Sequence, residues 1–118
     1  IYYNPSIKEG LIGIIASRLK DYFNKPSIVI TKSKNNLKGS ARSSIYYNIG
    51  SAIKKLIDNK ILLNGGGHNM AAGFTMNKNQ LMNFENYILS DYALKNKNLT
   101  IQNTLTSKIT SLSLTILL

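Results

Sequence analysis

The sequence contains no cysteine, no long hydrophobic run and few acidic residues. Without cysteine the chain can form neither a disulfide framework nor a thiolate metal site, and it shows no sign of secretion. No apolar run approaches the roughly 20 residues needed to cross a bilayer, and the N-terminus lacks the basic-then-apolar pattern of a signal peptide. We therefore expect a soluble, cytoplasmic protein without a membrane partner.

The acidic residues are too scattered to form a metal centre. They number five, and no two of them have the spacing of metal ligands. A Walker-type phosphate loop is also absent. We therefore expect this segment to hold no metal and to be unable to hydrolyse a phosphodiester by itself. The acids are Glu9, Asp21, Asp58, Glu85 and Asp91.

Basic residues dominate the charge. Fifteen Lys and Arg give a formal net charge of +10, which indicates a polyanionic partner because each neutralised phosphate releases condensed counterions. The alternative is a Lys- and Asn-rich composition whose lysines only solvate the surface. Only Arg18 and Arg42 are arginine, and both lie inside motifs. Arginine offers a planar fork for bidentate phosphate contact, so the placement of both arginines inside motifs favours nucleic-acid binding.

Helical and extended patterns alternate along the chain, which predicts an α/β fold with a mixed sheet flanked by about three helices. Apolar periodicity predicts helices over residues 10–23 and 48–59 and after Asn77, with Asn48 as an N-cap. A hairpin of neighbouring strands is expected from two adjacent extended segments. The expected strands cover residues 1–3, 27–31, 37–43, 61–63 and 74–76.

The length fits one domain with a core. We expect residues 1–95 to form this domain, which we interpret as nucleic-acid-binding. Residues 96–118 are interpreted as a linker or strand and the start of a following domain, because the composition changes there to Thr, Ser, Leu and Ile. The chain begins with Ile1 rather than methionine, and we interpret it as a segment of a longer protein.

The strongest motif is the run Gly65, Gly66, Gly67 and His68. Consecutive glycines lose much backbone entropy on folding, but they let the backbone approach a ligand and direct N–H groups into an anion-binding concavity. A helix beginning near His68 would add its positive end. We therefore expect these residues to bind a phosphate, with His68 as a donor; the alternative is a histidine that only caps local backbone.

The second motif surrounds Arg42. Ser40 and Ser43 flank it, so that the arginine can supply a fork and the serines neutral hydrogen bonds to a phosphate. The alternative is a solvated arginine on an edge strand. Tyr46 and Tyr47 follow and can stack on bases, although one of them is expected in the core.

The third motif, residues 9–19, contains two glycines in the opening turn of a helix and ends near Arg18. Arg18 is expected either to reach a nucleic-acid strand or to pair with Asp21. By itself a Gly-x-x-Gly pattern is weak evidence.

Four blocks taken in order, residues 9–19, 25–30, 39–43 and 65–74, resemble the DHH-associated domain of RecJ-type single-stranded-DNA-specific exonucleases, which act in DNA repair and recombination. The resemblance spans about residues 1–95. It implies a two-lobed 5′→3′ exonuclease whose upstream Asp-His-His lobe binds Mn²⁺ or Mg²⁺, with this domain closing over the cleft.

The same resemblance implies roles for particular residues. His68 and its glycines would face the active site, and Arg42 with its neighbouring serines would hold the backbone of single-stranded DNA. An oligonucleotide-binding-fold domain would follow. The chain departs from the family at Ile7 and Lys8, where these proteins often carry a Trp-His pair, so any contact made by that histidine is missing here.

Other interpretations stay open at this point. DHH-family phosphodiesterases that degrade very short RNA or cyclic dinucleotides share the glycine-histidine block, and alanyl-tRNA synthetases carry a relative of the domain. The blocks at residues 9–19 and 39–43 favour RecJ over both. A non-catalytic module that binds single strands is the remaining alternative.

Overall fold

A computed structural model describes residues 1–97, which contain one five-stranded sheet. The strand order is β1-β2-β3-β5-β4, with β1 parallel to β2 and every other neighbouring pair antiparallel. The prediction of a mixed sheet is therefore confirmed. The strands are β1 (Tyr2–Tyr3), β2 (Ser27–Ser33), β3 (Asn36–Arg42), β4 (Asn64–Gly67) and β5 (Ala71–Asn77).

Three helices flank the sheet, in agreement with the sequence. Short 3₁₀ turns at Glu9–Leu11 and Lys78–Gln80 precede the first and the last of them. The side-chain oxygen of Asn48 accepts a hydrogen bond from the Ser51 amide, which confirms the predicted N-cap of the second helix. The helices are α1 (Ile12–Phe23), α2 (Ile49–Asp58) and α3, which includes residues 81–97.

The predicted hairpin is β2 and β3, which pair from Ser27 with Arg42 to Ser33 with Asn36. Lys34 lies at the turn with a φ of 54°. The β-branched run of β2 is fully buried because the sheet is covered on both faces at this strand.

Side chains of each strand alternate between two faces, and each face has its own core. On one face α2 and α3 cover the larger core, to which α3 contributes Phe84 and Ile88. On the other face α1 lies over β2 and β3, and Ile12, Ala16 and Val29 form a smaller core. The sheet residues of the larger core are Ile28, Ile30, Leu37, Ala41, Ala72, Phe74 and Met76.

The prediction of a strand at residues 61–63 is wrong, because this segment closes the C-terminus of α2. The amides of Ile61 and Leu62 both donate to the carbonyl of Leu56, and the amide of Lys60 donates to that of Ile57. Lys60 has a φ of 61°, so these bonds form a Schellman motif with lysine in place of the usual glycine. The strand begins only at Asn64 and includes the three glycines.

Several apolar side chains of the helices face solvent rather than the core. Ile14 and Tyr22 of α1 are 55% and 82% exposed, and Leu89 of α3 is also exposed. The side of α1 that faces the sheet carries Ile12 and Ala16, with Ile15 and Leu19 partly buried beside them. The expected start of a following domain lies outside the described residues.

Tyr47 connects α3 to the turn before α2. It is the buried member of the tyrosine pair, and its hydroxyl donates to the Asp91 carboxylate at 2.7 Å. The Nζ atom of Lys95 lies 3.1 Å from the same Asp91 oxygen, and the Tyr92 ring packs edge-on against the Tyr47 ring. Burial, followed by the bond to Asp91, raises the pKa of Tyr47 far above its usual value.

We expect Tyr47→Phe to lower the free energy of unfolding by about 1.5 kcal/mol near neutral pH, because it removes a hydrogen bond to a charged group. The folded chain keeps the Tyr47 proton to a higher pH than the unfolded chain, so this stabilisation is lost as the pH rises above about 10. Urea unfolding of both proteins below and above that pH measures the difference. A difference between them that does not shrink at alkaline pH would contradict the assignment.

Candidate functional site

Three residues form a row across the sheet on the face that carries α1. Gly73 of β5 pairs with Ser40 of β3 on one side and with Gly66 of β4 on the other. Ser40 also pairs with Val29, which belongs to the core under α1. Because paired residues point to the same face and strands are about 4.8 Å apart, the row extends roughly 10 Å outward from Ser40.

The outer part of this row has no side chains. A Cβ atom added to Gly66 would meet nothing within 4 Å, and one added to Gly73 would meet only the Gly39 carbonyl oxygen at 3.7 Å. Since α1 lies over β2 and β3, nothing within residues 1–97 covers this part of the sheet surface. We call Ser40, Gly73 and Gly66 the bare strip.

Arg42 holds a positive charge at one end of the bare strip. Its Nη1 donates to the hydroxyl of Ser40 at 3.0 Å and to the carbonyl of Ala41 at 2.8 Å. A Cβ atom on Gly13 of α1 would lie 2.9 Å from Arg42 Nη2, so a larger residue at position 13 would shift the guanidinium from its present position. Within residues 1–97 only Nη1 is hydrogen-bonded, which leaves the other guanidinium donors for a ligand.

The other two glycines of the run are required by the packing of β4 on β5. A Cβ atom on Gly65 would lie 2.7 Å from the Gly73 carbonyl oxygen, and one on Gly67 would lie 2.2 Å from that of Ala71. The predicted glycine loop is therefore an edge strand. Only Gly66 of the three leaves open space for a ligand.

His68 lies in the turn that joins β4 to β5, and it is exposed. Its Nδ1 accepts a hydrogen bond from the Met70 amide at 3.3 Å. In the neutral form this leaves Nε2–H as a donor. Both predicted roles are thus compatible, because the ring caps local backbone with one nitrogen and offers the other to solvent.

No helix begins at His68, contrary to expectation. Residues 69 and 70 form a bend and β5 starts at Ala71. The turn packs instead against the start of α2, where the Ile49 amide donates to the Asn69 carbonyl and a Cβ atom on Gly50 would collide with the His68 backbone. The N-terminus of α2 is therefore occupied by protein carbonyls.

The structure does not bring Ser43 and Arg18 to the bare strip. Ser43 is 2% exposed, and its hydroxyl donates to the Tyr47 carbonyl at 2.7 Å. Arg18 is exposed on α1, where five residues of separation from Gly13 place it about 140° away around the helix. Sequence reasoning missed Gly13 and Gly73; the period-two alternation of β5 would have indicated Gly73.

The opposite face of β4 has a recess of about 280 Å³ lined by Gly50, Lys54, Ile57 and the glycine run. Among residues 1–97, Lys54 is its only charged lining residue. This recess is the competing place for an anion, but it lacks the fixed arginine of the bare strip.

The residues described do not fit a divalent-metal centre. Within residues 1–97 no three His, Cys, Asp or Glu side chains cluster in a way that could hold an ion. None of the helices in the same range has the length and hydropathy needed to span a bilayer.

Comparison with known proteins gives one consistent family. The model for the DHHA1 domain matches residues 1–92. The single-stranded-DNA-specific exonuclease RecJ of Bacillus subtilis is 43% identical over 76 residues, and that of Haemophilus influenzae is 33% identical over 86 residues. These alignments cover 63% and 70% of this chain but only 9% and 15% of the relatives, so the chain is similar to a small part of them.

Solved structures agree. RecJ of Thermus thermophilus in complex with Mg²⁺ superimposes with a TM-score of 0.66 at 29% identity, covering 78% of this chain and 14% of that one. The C-Ala domain of Aquifex aeolicus alanyl-tRNA synthetase and the pGpG-specific phosphodiesterase PggH of Vibrio reach TM-scores of 0.61 and 0.52. Their identities of 12% and 19% indicate a shared fold alone.

We expect Gly67→Ala to destabilise the chain by roughly 2 kcal/mol, because the new methyl group collides with backbone atoms that cannot move aside. Gly66→Ala is the matched control, one residue away on the same strand. The Gly66→Ala variant should have the free energy of unfolding of the parent or a slightly higher one, since its methyl group enters open space. Urea unfolding followed by circular dichroism measures both; equal losses would disprove the division of roles among the glycines.

Proposed function

Because this chain belongs to the DHHA1 domain family of RecJ-type exonucleases, we propose that residues 1–95 are the substrate-binding accessory domain of a single-stranded-DNA-specific 5′→3′ exonuclease. The domain closes over a catalytic DHH domain supplied by the rest of the protein, and residues 96–118 lead into a following domain. The single observation that carries the proposal is Arg42, fixed beside the bare strip with unused donors.

The bare strip binds the sugar-phosphate backbone of single-stranded DNA. Its glycines let the strand lie against the sheet without meeting a side chain. Arg42 is already held by Ser40, so a phosphate gains charge-assisted hydrogen bonds without first ordering the guanidinium. Ser40 adds a neutral hydroxyl, and His68 supplies the Nε2 donor from the turn between β4 and β5.

The remaining predicted residues act less directly in this proposal. Gly65 and Gly67 keep β4 close to β5, and Ser43 holds the turn that follows β3. Arg18 lies on another side of α1 from Gly13, so in this proposal it makes at most a solvated charge contact with the strand, outside the bare strip. The net charge of +10 attracts the DNA at long range.

The metal chemistry belongs to the absent catalytic domain. RecJ of Thermus thermophilus has been solved with Mg²⁺ and with Mn²⁺, and residues 1–97 of this chain contain no comparable cluster of ligands. In the full protein such an ion would supply the activation of water for phosphodiester hydrolysis, and the residues that hold it would belong to the catalytic domain. This chain binds and orients the strand, and by itself it does not cleave it.

The alternative is the accessory domain of a DHH-family oligoribonuclease or cyclic-dinucleotide phosphodiesterase, to which the fold of PggH points. The identity of 33–43% to RecJ proteins against 19% to PggH favours RecJ. A non-catalytic single-strand-binding module differs only in lacking the catalytic partner.

We expect the chain to bind oligothymidylate with an affinity that falls linearly with salt on a double-logarithmic plot, by a slope of about 0.7 per phosphate contacted. Arg42→Ala should weaken binding roughly 10- to 100-fold, because charge-assisted hydrogen bonds are lost, and should reduce the slope by about one phosphate. Fluorescence anisotropy at several salt concentrations measures both quantities.

Arg18→Ala is the comparison variant, because it removes the same charge from the other side of α1. We expect it to weaken binding no more than about 3-fold, which is the scale of a solvated charge contact. If Arg42→Ala bound as tightly as the parent, or if the two variants were equal, the bare strip would not be the binding surface.

A further inference from the structure

A recess of about 120 Å³ lies at the end of the sheet where β2 begins and β3 ends. It is enclosed by the loop after α1, the turn that follows β3 and one side of α3. Its lining combines aromatic rings, a proline and amide or hydroxyl groups. Its lining residues include Asn24, Pro26, Ser44, Tyr46, Tyr47 and Tyr92.

Tyr46 presents its ring to solvent at this recess. The residue is 69% exposed, whereas the adjacent Tyr47 is 2% exposed. The Ser44 hydroxyl accepts a hydrogen bond from the Tyr46 amide, and the Ser44 carbonyl accepts one from the Tyr47 amide. These bonds fix the conformation of the turn. This conformation places Tyr47 in the core and leaves Tyr46 exposed to solvent.

The opposite wall of the recess is rigid. The Tyr92 ring packs edge-on against Tyr47 with centroids 5.5 Å apart, and Tyr47 is in turn bonded to Asp91. Pro26 adds a stiff apolar surface, and Asn24 is a further lining residue. Flat apolar surfaces next to amide groups are the chemistry that binds a nucleobase, through stacking and hydrogen bonds to its edge.

The recess is also next to the proposed phosphate contact. Ser44 follows Arg42 by two residues, which span at most about 7 Å of chain. Pro26 directly precedes Ser27, and Ser27 is the cross-strand partner of Arg42. Two segments that line the recess are therefore adjacent to Arg42 along the backbone. The Arg42 side chain lies on the α1 face with Ser40 and Gly13, whereas Tyr92 of α3 lines the recess from the other face. A nucleotide held by its phosphate at Arg42 thus reaches the recess by passing around the end of the sheet.

We propose that this recess binds one nucleobase of the single strand whose phosphate contacts Arg42, with the Tyr46 ring stacked on the base. This inference rests on the proposed function and adds to it a subsite that reads bases rather than phosphates. Stacking is tolerant of sequence because every base has a flat face, so the subsite distinguishes strands with bases from strands without them.

The test compares oligothymidylate with an abasic strand of the same length and charge, using the full 118-residue chain. Tyr46→Ala should weaken binding of oligothymidylate roughly 5- to 100-fold and leave binding of the abasic strand unchanged. Tyr46→Phe keeps the ring and should stay within about 2-fold of the parent. Tyr22→Ala is the matched control, because Tyr22 is 82% exposed on α1 and should affect neither strand.

The outcomes separate this inference from the proposed function. If the parent chain binds neither strand, the proposed function fails and the base subsite fails with it. If both strands bind but Tyr46→Ala weakens them equally, or weakens neither, the base subsite alone is disproved. Circular dichroism of each variant confirms that a loss of affinity reflects a lost contact rather than a lost fold.

Discussion

The two hydrogen bonds from Arg42 to Ser40 and to the Ala41 carbonyl are the interaction on which the site depends. They hold a guanidinium in one place before any ligand arrives, so less conformational entropy is lost on binding. Gly13 permits this position, because a methyl group there would meet Arg42 Nη2 at 2.9 Å. A contact between α1 and β3 thus determines where the charge lies.

The five glycines of the sheet divide into two classes according to whether an added Cβ atom would meet a neighbour. Gly39 makes room for the Phe74 ring, and Gly65 and Gly67 let β4 approach β5, so all three serve the folding of the sheet. Gly66 and Gly73 meet no such neighbour and leave a surface without side chains. The period of two along a strand explains why consecutive glycines have different roles.

Much of the fold could be predicted from local signals. The β-branched run of β2, the cap at Asn48 and the apolar periodicity of α2 each specify an element within a few residues. The strand β4 could not be predicted, because glycine has a low strand propensity and this strand forms only by pairing with its hairpin neighbour β5. The Schellman motif at Lys60 could not be predicted either, because lysine stands there at a position that glycine usually occupies.

The residues of the proposed phosphate site could also be predicted only in part from the sequence. Arg42 and Ser40 were predicted by residue type and spacing, but Gly13 and Gly73 reach the site only through tertiary pairing. Ser43 was included because it flanks Arg42, yet strand alternation turns it inward, and Arg18 was included because it lies in a motif, although the helix turns it away from Gly13. Proximity along the sequence therefore predicts the residues of the proposed site less well here than pairing across the sheet does.

The most direct measurement is a crystal structure of the chain with oligothymidylate bound. We predict a phosphate within hydrogen-bond distance of Arg42, with the sugar-phosphate backbone lying over Gly66 and Gly73. Density for DNA in the recess beside Lys54 on the opposite face, with the bare strip empty or covered by the protein's own side chains, would contradict the account.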